Sequence, residues 1–453
     1  MAAQAASKAF FTMITDHTVA SRIRVGILGD GFLTWAGGVD FLRMLVDSLR
    51  LGAEGEEPDL VVLAPQLLRR STVRTLCAPW YRWARGRYGP RGMAQLREAL
   101  RDQRTFLSPD WQRSEMADAF GRDTRVVSYS QGTELDSLAQ QNGIACLLPS
   151  IRPLSPDMRT PWIGYVYDFQ HRHLAHLFSQ EEHEARNKSF SAMAASSRYL
   201  LVNSQNTRQD CARFLGGDEA RFVALPFGAA PQPDWLRDDH SLIDKYRLPR
   251  RYFLVANQFW KHKNHPVVFK ALRLLREAPG ASDIGLVCTG STFEPRDGGY
   301  FPSLLQSIRR DRLSDRVRIL GFVPKRDQIE IMKNAIAVVQ PTLFEGGPGG
   351  GALYDAVSLG VPGIVSDLPV NRELEATAVP IAFFEPSDAR TLAALMLDRA
   401  SKPVSRPEAQ TLIAQGQARR RAVGRVLWTT IRCAIGADTS REPLVQTQST
   451  DQS

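Results

Sequence analysis

The chain has 453 residues, 43% of them hydrophobic and 23% charged, with a formal net charge of +9. That length predicts two or three domains, and the composition excludes a wholly disordered or fibrous chain. No stretch reaches the ~18 uncharged apolar residues of a membrane-spanning helix, and the start, MAAQAASKAFFTMITDH, lacks an apolar region of signal-peptide length. Cys77, Cys146, Cys211, Cys288 and Cys433 are scattered, with no CxxC spacing. This argues against a disulfide framework or a zinc site and fits a cytoplasmic setting.

The charge is concentrated in one segment. Residues 69–104 hold ten Arg against one Glu and one Asp, a net +8 of the chain's +9. Within it, Arg82, Arg85, Arg87 and Arg91 interleave with Trp80, Tyr81, Trp83 and Tyr88. Localised positive charge points to a polyanionic surface, and the aromatic interleaving points to the inner face of an anionic membrane, bound peripherally. No nucleic-acid-binding module shows its spacing, so nucleic acid is not an expected partner.

In chain order, the first series of predicted strands falls at residues 23–28, 59–64, 144–150, 162–168, 199–204 and 221–227. A second series falls at 252–257, 284–290, 317–323, 335–342 and 361–367. Near-continuous apolar strands separated by amphipathic helices predict α/β domains with parallel sheets covered on both faces. The expected architecture is two Rossmann-like, doubly wound domains facing a cleft. They span residues 22–230 and 245–436, with the Pro- and Asp-rich stretch 228–251 as linker and 437–453 as a disordered tail. Ligands of such sheets lie beyond the carboxyl ends of the strands, which makes the cleft the expected active site.

The first strand leads into GILGDGFLTWAGGVDFLRML, which lacks the G-x-G-x-x-G spacing of a dinucleotide fingerprint. Gly37 and Gly38 open a helical pattern (Val39, Leu42, Leu45, Val46), where missing side chains let a backbone approach a ligand closely. After the strand at 162–168 come Asp168 and four histidines, His171, His173, His176 and His183. Their spacing does not match HExxH, and no carboxylate–histidine set completes a metal site, so His171 is expected to hydrogen-bond substrate instead.

Two further blocks sit at strand ends in the second half. NQFWKHKNH places Lys261, His262, Lys263 and His265 together, with lysines able to neutralise a diphosphate leaving group. PTLFEGGPGGGALYDAVSLGVPGIVSD places Glu345 at a strand end, followed by Gly346, Gly347, Gly349, Gly350 and Gly351 and then a helix over 352–359 carrying Asp355. Strand, glycine loop and helix N-terminus form an anion cradle of bare amides, reinforced by about half a positive charge from the helix dipole. The Gly-Lys-Ser/Thr ending of a P-loop is absent. A carboxylate there suits sugar hydroxyls better than phosphate.

At these residues the chain resembles the retaining glycosyltransferases of family 4, also called glycosyl transferases group 1, which have the GT-B fold. The resemblance covers roughly residues 23–400. The glycine block looks like the family's donor site, NQFWKHKNH like its diphosphate-binding block, and GFVPKRDQIEIM like the segment between. DFQHRHL and LLVNSQNTRQD look like segments of the acceptor-side domain. The resemblance implies a metal-independent hexosyltransferase, without cofactor, that uses a nucleotide diphosphate sugar. The expected acceptor is a saccharide or lipid-linked glycan of a surface polysaccharide.

Carried onto this sequence, Glu345 would contact the transferred sugar, and Gly349, Gly350 and Gly351 would hold sugar and phosphate. Asp355 would bind ribose, Lys263 would bind the diphosphate, and His171 would stand near the reacting centre. Two departures are visible. Nine residues rather than seven separate the two acids, the second being Asp. Gln258 stands where the family has the arginine of its phosphate pair, with Lys261 as the expected substitute. A catalytically silent sugar-nucleotide-binding partner and a GT-B epimerase or phosphorylase are the alternative functions.

Overall fold

The computed structural model describes residues 22–437 apart from 34–35, 54, 66–119, 122, 131, 238–240, 295 and 404. The Arg-rich segment 69–104 and the tail from 438 lie outside the described residues.

The first domain runs β1 (Arg24–Leu28), α1 (Ala36–Gly52), β2 (Asp59–Pro65), β3 (Arg125–Tyr129), α2 (Leu135–Gln141), β4 (Cys146–Ser150), β5 (Trp162–Tyr165), α3 (Gln170–His173), α4 (Gln180–Ser196), β6 (Tyr199–Val202), α5 (Gln205–Leu215) and β7 (Phe222–Ala224). These strands form one parallel sheet in the order β3-β2-β1-β4-β5-β6-β7. Val25, Ile27, Val62, Leu148 and Ile163 face one apolar core, and Leu28, Val61, Leu63, Leu147 and Val202 face another. Burial on both faces is why these strands read as continuous apolar runs.

The second domain runs α6 (Ser241–Tyr246), β8 (Arg251–Ala256), α7 (His265–Arg276), β9 (Ile284–Thr289), α8 (Tyr300–Arg310), β10 (Val317–Gly321), α9 (Lys325–Lys333), β11 (Val338–Gln340), α10 (Gly350–Ser358), β12 (Gly363–Ser366), α11 (Pro369–Arg372), β13 (Ile381–Phe384) and α12 (Ala389–Ser401). Its parallel sheet has the order β10-β9-β8-β11-β12-β13. The order reverses between β8 and β11, so the loops after those strands diverge and leave a crevice. Lys263 follows β8 and Glu345 follows β11, which sets both at this switch point.

Two edge strands, β3 and β13, were absent from the sequence expectation. The β3 strand is largely exposed, with Val126 at 39%, and lacks the apolar run of its neighbours. The linker is more structured than its composition suggests, since Trp235 is buried in the second domain's core.

The last helix, α13 (Ala409–Ala434), departs from the expected boundary at 436. It returns to the first domain and packs along α1, with Val423, Leu427 and Ile431 in the core of Leu42, Leu45 and Leu49. A Cβ at Gly424 would stand 1.8 Å from the Ser48 carbonyl oxygen, and one at Gly52 would stand 2.4 Å from the Gly424 carbonyl carbon. The two helices therefore touch backbone to backbone. Each large apolar side chain buried there stabilises the return by about 1.5–3 kcal/mol.

Candidate active site

Lys263 and Glu345 meet at the switch point, with Nζ 2.5 Å from Oε1 and both side chains largely buried (15% and 11% exposed). The same Oε1 accepts from Gln340 Nε2 at 2.9 Å, and Gln340 Oε1 accepts from Asn257 Nδ2 at 2.6 Å. Asn257 follows β8 and Gln340 ends β11, so the sheet itself fixes the carboxylate's orientation. Leu343 N donates to the His262 carbonyl at 2.7 Å and ties the two loops together.

The glycines of the loop serve different ends. Gly349 (φ +65°) and Gly350 (φ +58°) make the left-handed turn into α10. A Cβ at Gly350 would lie 2.8 Å from Glu345 Oε2, so the carboxylate rests against the helix N-terminus, where the dipole favours an anion. Gly351 has open space beside it. Gly346 faces the other domain instead: a Cβ there would stand 2.2 Å from the Tyr167 carbonyl oxygen.

On the α10 side, Asp355 is buried and its carboxylate lies 2.6 Å from Lys325 Nζ, which also reaches Asp40 of the first domain at 3.3 Å. Burial pushes the Asp355 carboxyl up, against the pull of Lys325. Burial draws the Lys325 ammonium down, but Asp355 and Asp40 outweigh it and hold its pKa above the ordinary value. Its Nζ also sits over the Trp235 ring. Asp40 is near the start of α1, so Gly37 and Gly38 lie at the mouth of this side of the cleft, Gly37 exposed and Gly38 buried. Lys325, Asp40, Gln340 and Asn257 are site residues that the sequence motifs do not mark. Lys325 lies in GFVPKRDQIEIM, and the other three have no local signature.

Three expected site residues stand differently. Lys261 pairs with Asp297 at 2.9 Å and is half exposed, so it does not join Lys263 and Glu345. Gln258 is exposed to solvent. His171 is fully buried, with Nε2 2.9 Å from Asn187 Oδ1 and its ring against Phe169, Phe178, His183 and Phe190. Burial pulls its pKa down to about 4 and keeps the ring neutral. The histidine that reaches across is His173, paired with Asp210 at 2.8 Å and packed on Phe344 at 5.3 Å.

Asp168 completes the first-domain side. Its carboxylate accepts from Gln170 N and lies 3.3 Å from Arg186. Burial raises its pKa and the nearby Glu345 charge adds to that rise, while Arg186 opposes it. Beside Lys261 and His262, a cavity of about 340 Å³ opens between the domains, lined also by His176, Phe178, Glu182, Glu294 and Arg296 among others. Among the described residues, no three His, Cys, Asp or Glu side chains gather as a metal ion requires, and no helix is long and apolar enough to cross a membrane.

Residues 241–419 match the family model of glycosyl transferases group 1. Over most of its length the chain is similar in fold to solved GT-B glycosyltransferases, including one from Rickettsia africae at 11% identity (TM-score 0.57, covering 92% of this chain and 100% of that one). It is similar to Anabaena HepE in complex with UDP-glucose at 14% identity (TM-score 0.53, 92% and 98%). It is also similar to the lipopolysaccharide outer core galactosyltransferase WaaB in its apo form at 12% identity (TM-score 0.52, 92% and 99%). No curated protein sequence gives a significant match. The two-domain GT-B architecture is thereby shown.

Proposed function

We propose that this protein is a retaining glycosyltransferase that moves a sugar from a nucleotide diphosphate sugar to a saccharide or lipid-linked acceptor. The observation that carries the reading is the Lys263–Glu345 pair held at the β8/β11 switch point against the N-terminus of α10. The group 1 match over 241–419 supports the transferase class, and the fold shared with HepE, solved with UDP-glucose, supports a nucleotide-sugar donor.

Glu345 occupies the place where Lys263 and the amides of α10 favour negative charge. A donor would exchange these partners. Its diphosphate takes Lys263 and the amides about Gly349–Gly351, and its sugar hydroxyls take Glu345. As the glycosidic bond breaks through an oxocarbenium-like transition state, charge builds on the departing diphosphate. Lys263 and the amides are pre-aimed at that charge, and one such donor is worth about 2.7–4 kcal/mol in other enzymes. This reading assigns the leaving-group work to protein groups, hence metal independence. Asp355 is assigned to the ribose. The acceptor enters from the first-domain side, past Asp168 and the cavity at Phe178.

The setting proposed is surface-glycan assembly at the inner membrane face, supported by the basic segment 69–104 and the WaaB-like fold. The test is a thermal-shift screen against UDP, GDP, ADP and their sugars, followed by donor consumption with glycan acceptors. A ligand at 100 times its Kd adds about 2.7 kcal/mol of stability. No stabilisation by any nucleotide or nucleotide sugar would refute the reading.

A further inference from the structure

The segment LLVNSQNTRQD of the first domain does work that the donor site leaves unassigned. After β6, Ser204 and Thr207 are buried (0% and 2% exposed) at the start of α5. Thr207 Oγ1 donates to the carbonyl of Gly346, in the other domain, at 2.8 Å. Ser204 Oγ lies 2.9 Å from Thr207 Oγ1 and 3.1 Å from the same carbonyl, and it accepts from Thr207 N at 3.0 Å. A hydroxyl has one proton to give, so Thr207 spends its proton on Gly346 and Ser204 supports it from behind.

The grip is two-sided. Glu373 of the second domain accepts from the first amides of α5, Gln205 N at 3.2 Å and Asn206 N at 3.0 Å. A carboxylate at a helix N-terminus meets both orphan amides and the dipole. Between these contacts, Gly346 lies so close to Tyr167 and Asp168 that a side chain would collide with both, and a Cβ at Gly347 would stand 3.1 Å from Asn203 Cβ.

We infer that Ser204 and Thr207 form a socket for the glycine loop, braced from the second domain by Glu373 on the first amides of α5, so that the position of Glu345 depends on this contact between the domains. Thr207 is a positioning residue. Its hydroxyl acts on the carbonyl one residue beyond Glu345, and a misplacement of about 1 Å at a reacting group can lower a rate about 100-fold. The inference rests on the assignment of Glu345 to the transferred sugar.

Two measurements on the full chain test it. In donor-consumption kinetics, Thr207→Val should lower kcat about tenfold or more while the donor KM stays within about twofold, because donor binding belongs to the second domain. Thr207→Ser should restore most of kcat. In hydrogen exchange without any ligand, Thr207→Val combined with Ser204→Ala should accelerate exchange in peptides covering both 203–208 and 344–352. Parental kcat in Thr207→Val, or faster exchange confined to 203–208, would overturn the socket. A parent chain that consumes no sugar nucleotide would sink the functional reading instead, and the exchange measurement would still decide the socket.

Discussion

Lys263 Nζ and Glu345 Oε1 stand 2.5 Å apart although they lie 82 positions apart in the chain. The pair joins the ends of two strands that are neighbours only because β11 inserts beside β8. Each charge is largely removed from water and is compensated by the other, which makes either one costly to delete alone.

Glu345→Gln should remove most transfer activity, on the order of 100-fold, if the carboxylate contributes as other preorganised electrostatic groups do. The chain should stay folded, since Gln keeps the size and can still accept from Gln340 and Lys263. Donor consumption and circular dichroism of parent and variant provide the check. Activity within twofold of parent would remove Glu345 from the mechanism.

Lys263→Ala should weaken nucleoside diphosphate binding by about 1.5–3 kcal/mol, the size of a charge-assisted hydrogen bond. Lys261→Ala should change it by less than about 0.5 kcal/mol, since Lys261 is occupied by Asp297 at the surface. Calorimetric titration distinguishes the two. Equal losses would return Lys261 to the phosphate site.

Three buried histidines predict a particular acid response. Burial lowers His171 to about 4 and both His262 and His265 to about 3, so all three fold as neutral rings. With folded values below the unfolded value of about 6.5, they contribute stability that is full above pH 6.5 and is lost as pH falls towards 4 and below. Over that window the unfolded chain binds more protons, and each histidine steepens the loss by up to about 1.4 kcal/mol per pH unit. His265 stacks on Phe259 at 4.3 Å with neither ring nitrogen partnered, so His265→Phe should flatten the decline. Denaturant midpoints between pH 7 and 4.5 measure it, and a pH-independent parent would contradict the assignment.

Turnover should survive EDTA. On the proposed reading, Lys263 and the α10 amides would supply the positive charge that a metal would otherwise bring to the diphosphate. Loss of activity with EDTA and its rescue by magnesium or manganese would refute this.

The basic segment 69–104 should bind anionic vesicles, each basic residue near the surface contributing about 1 kcal/mol. Exposed charges are screened over about 8 Å at physiological ionic strength, so binding should fade as salt rises. Co-sedimentation with vesicles of varied anionic content is the measurement. Equal binding to neutral vesicles would mean the arginines are a solvated face.

The sequence by itself determined the parallel α/β class, the central strands and the glycine loop with its acid. Strands buried on both faces are continuous apolar runs, and a turn into a helix needs its glycines in order, so both signals are local. The edge strands β3 and β13 carry a weaker signal because one flank of an edge is unpaired and its faces are less covered. The choice among histidines and lysines was also not local. His171 and His173 differ by two positions, yet one faces an aromatic core and the other Phe344 of the opposite domain. Lys261 and Lys263 point to Asp297 and Glu345 respectively. Lys325, Asn257 and Gln340 became site residues only when sheet order brought strand ends together. The return of α13 likewise rests on Gly52 and Gly424 meeting across 372 positions of chain. An amphipathic pattern states that a helix has an apolar face, but which sheet receives that face depends on steric fit between segments remote in sequence, and that only the tertiary structure decides.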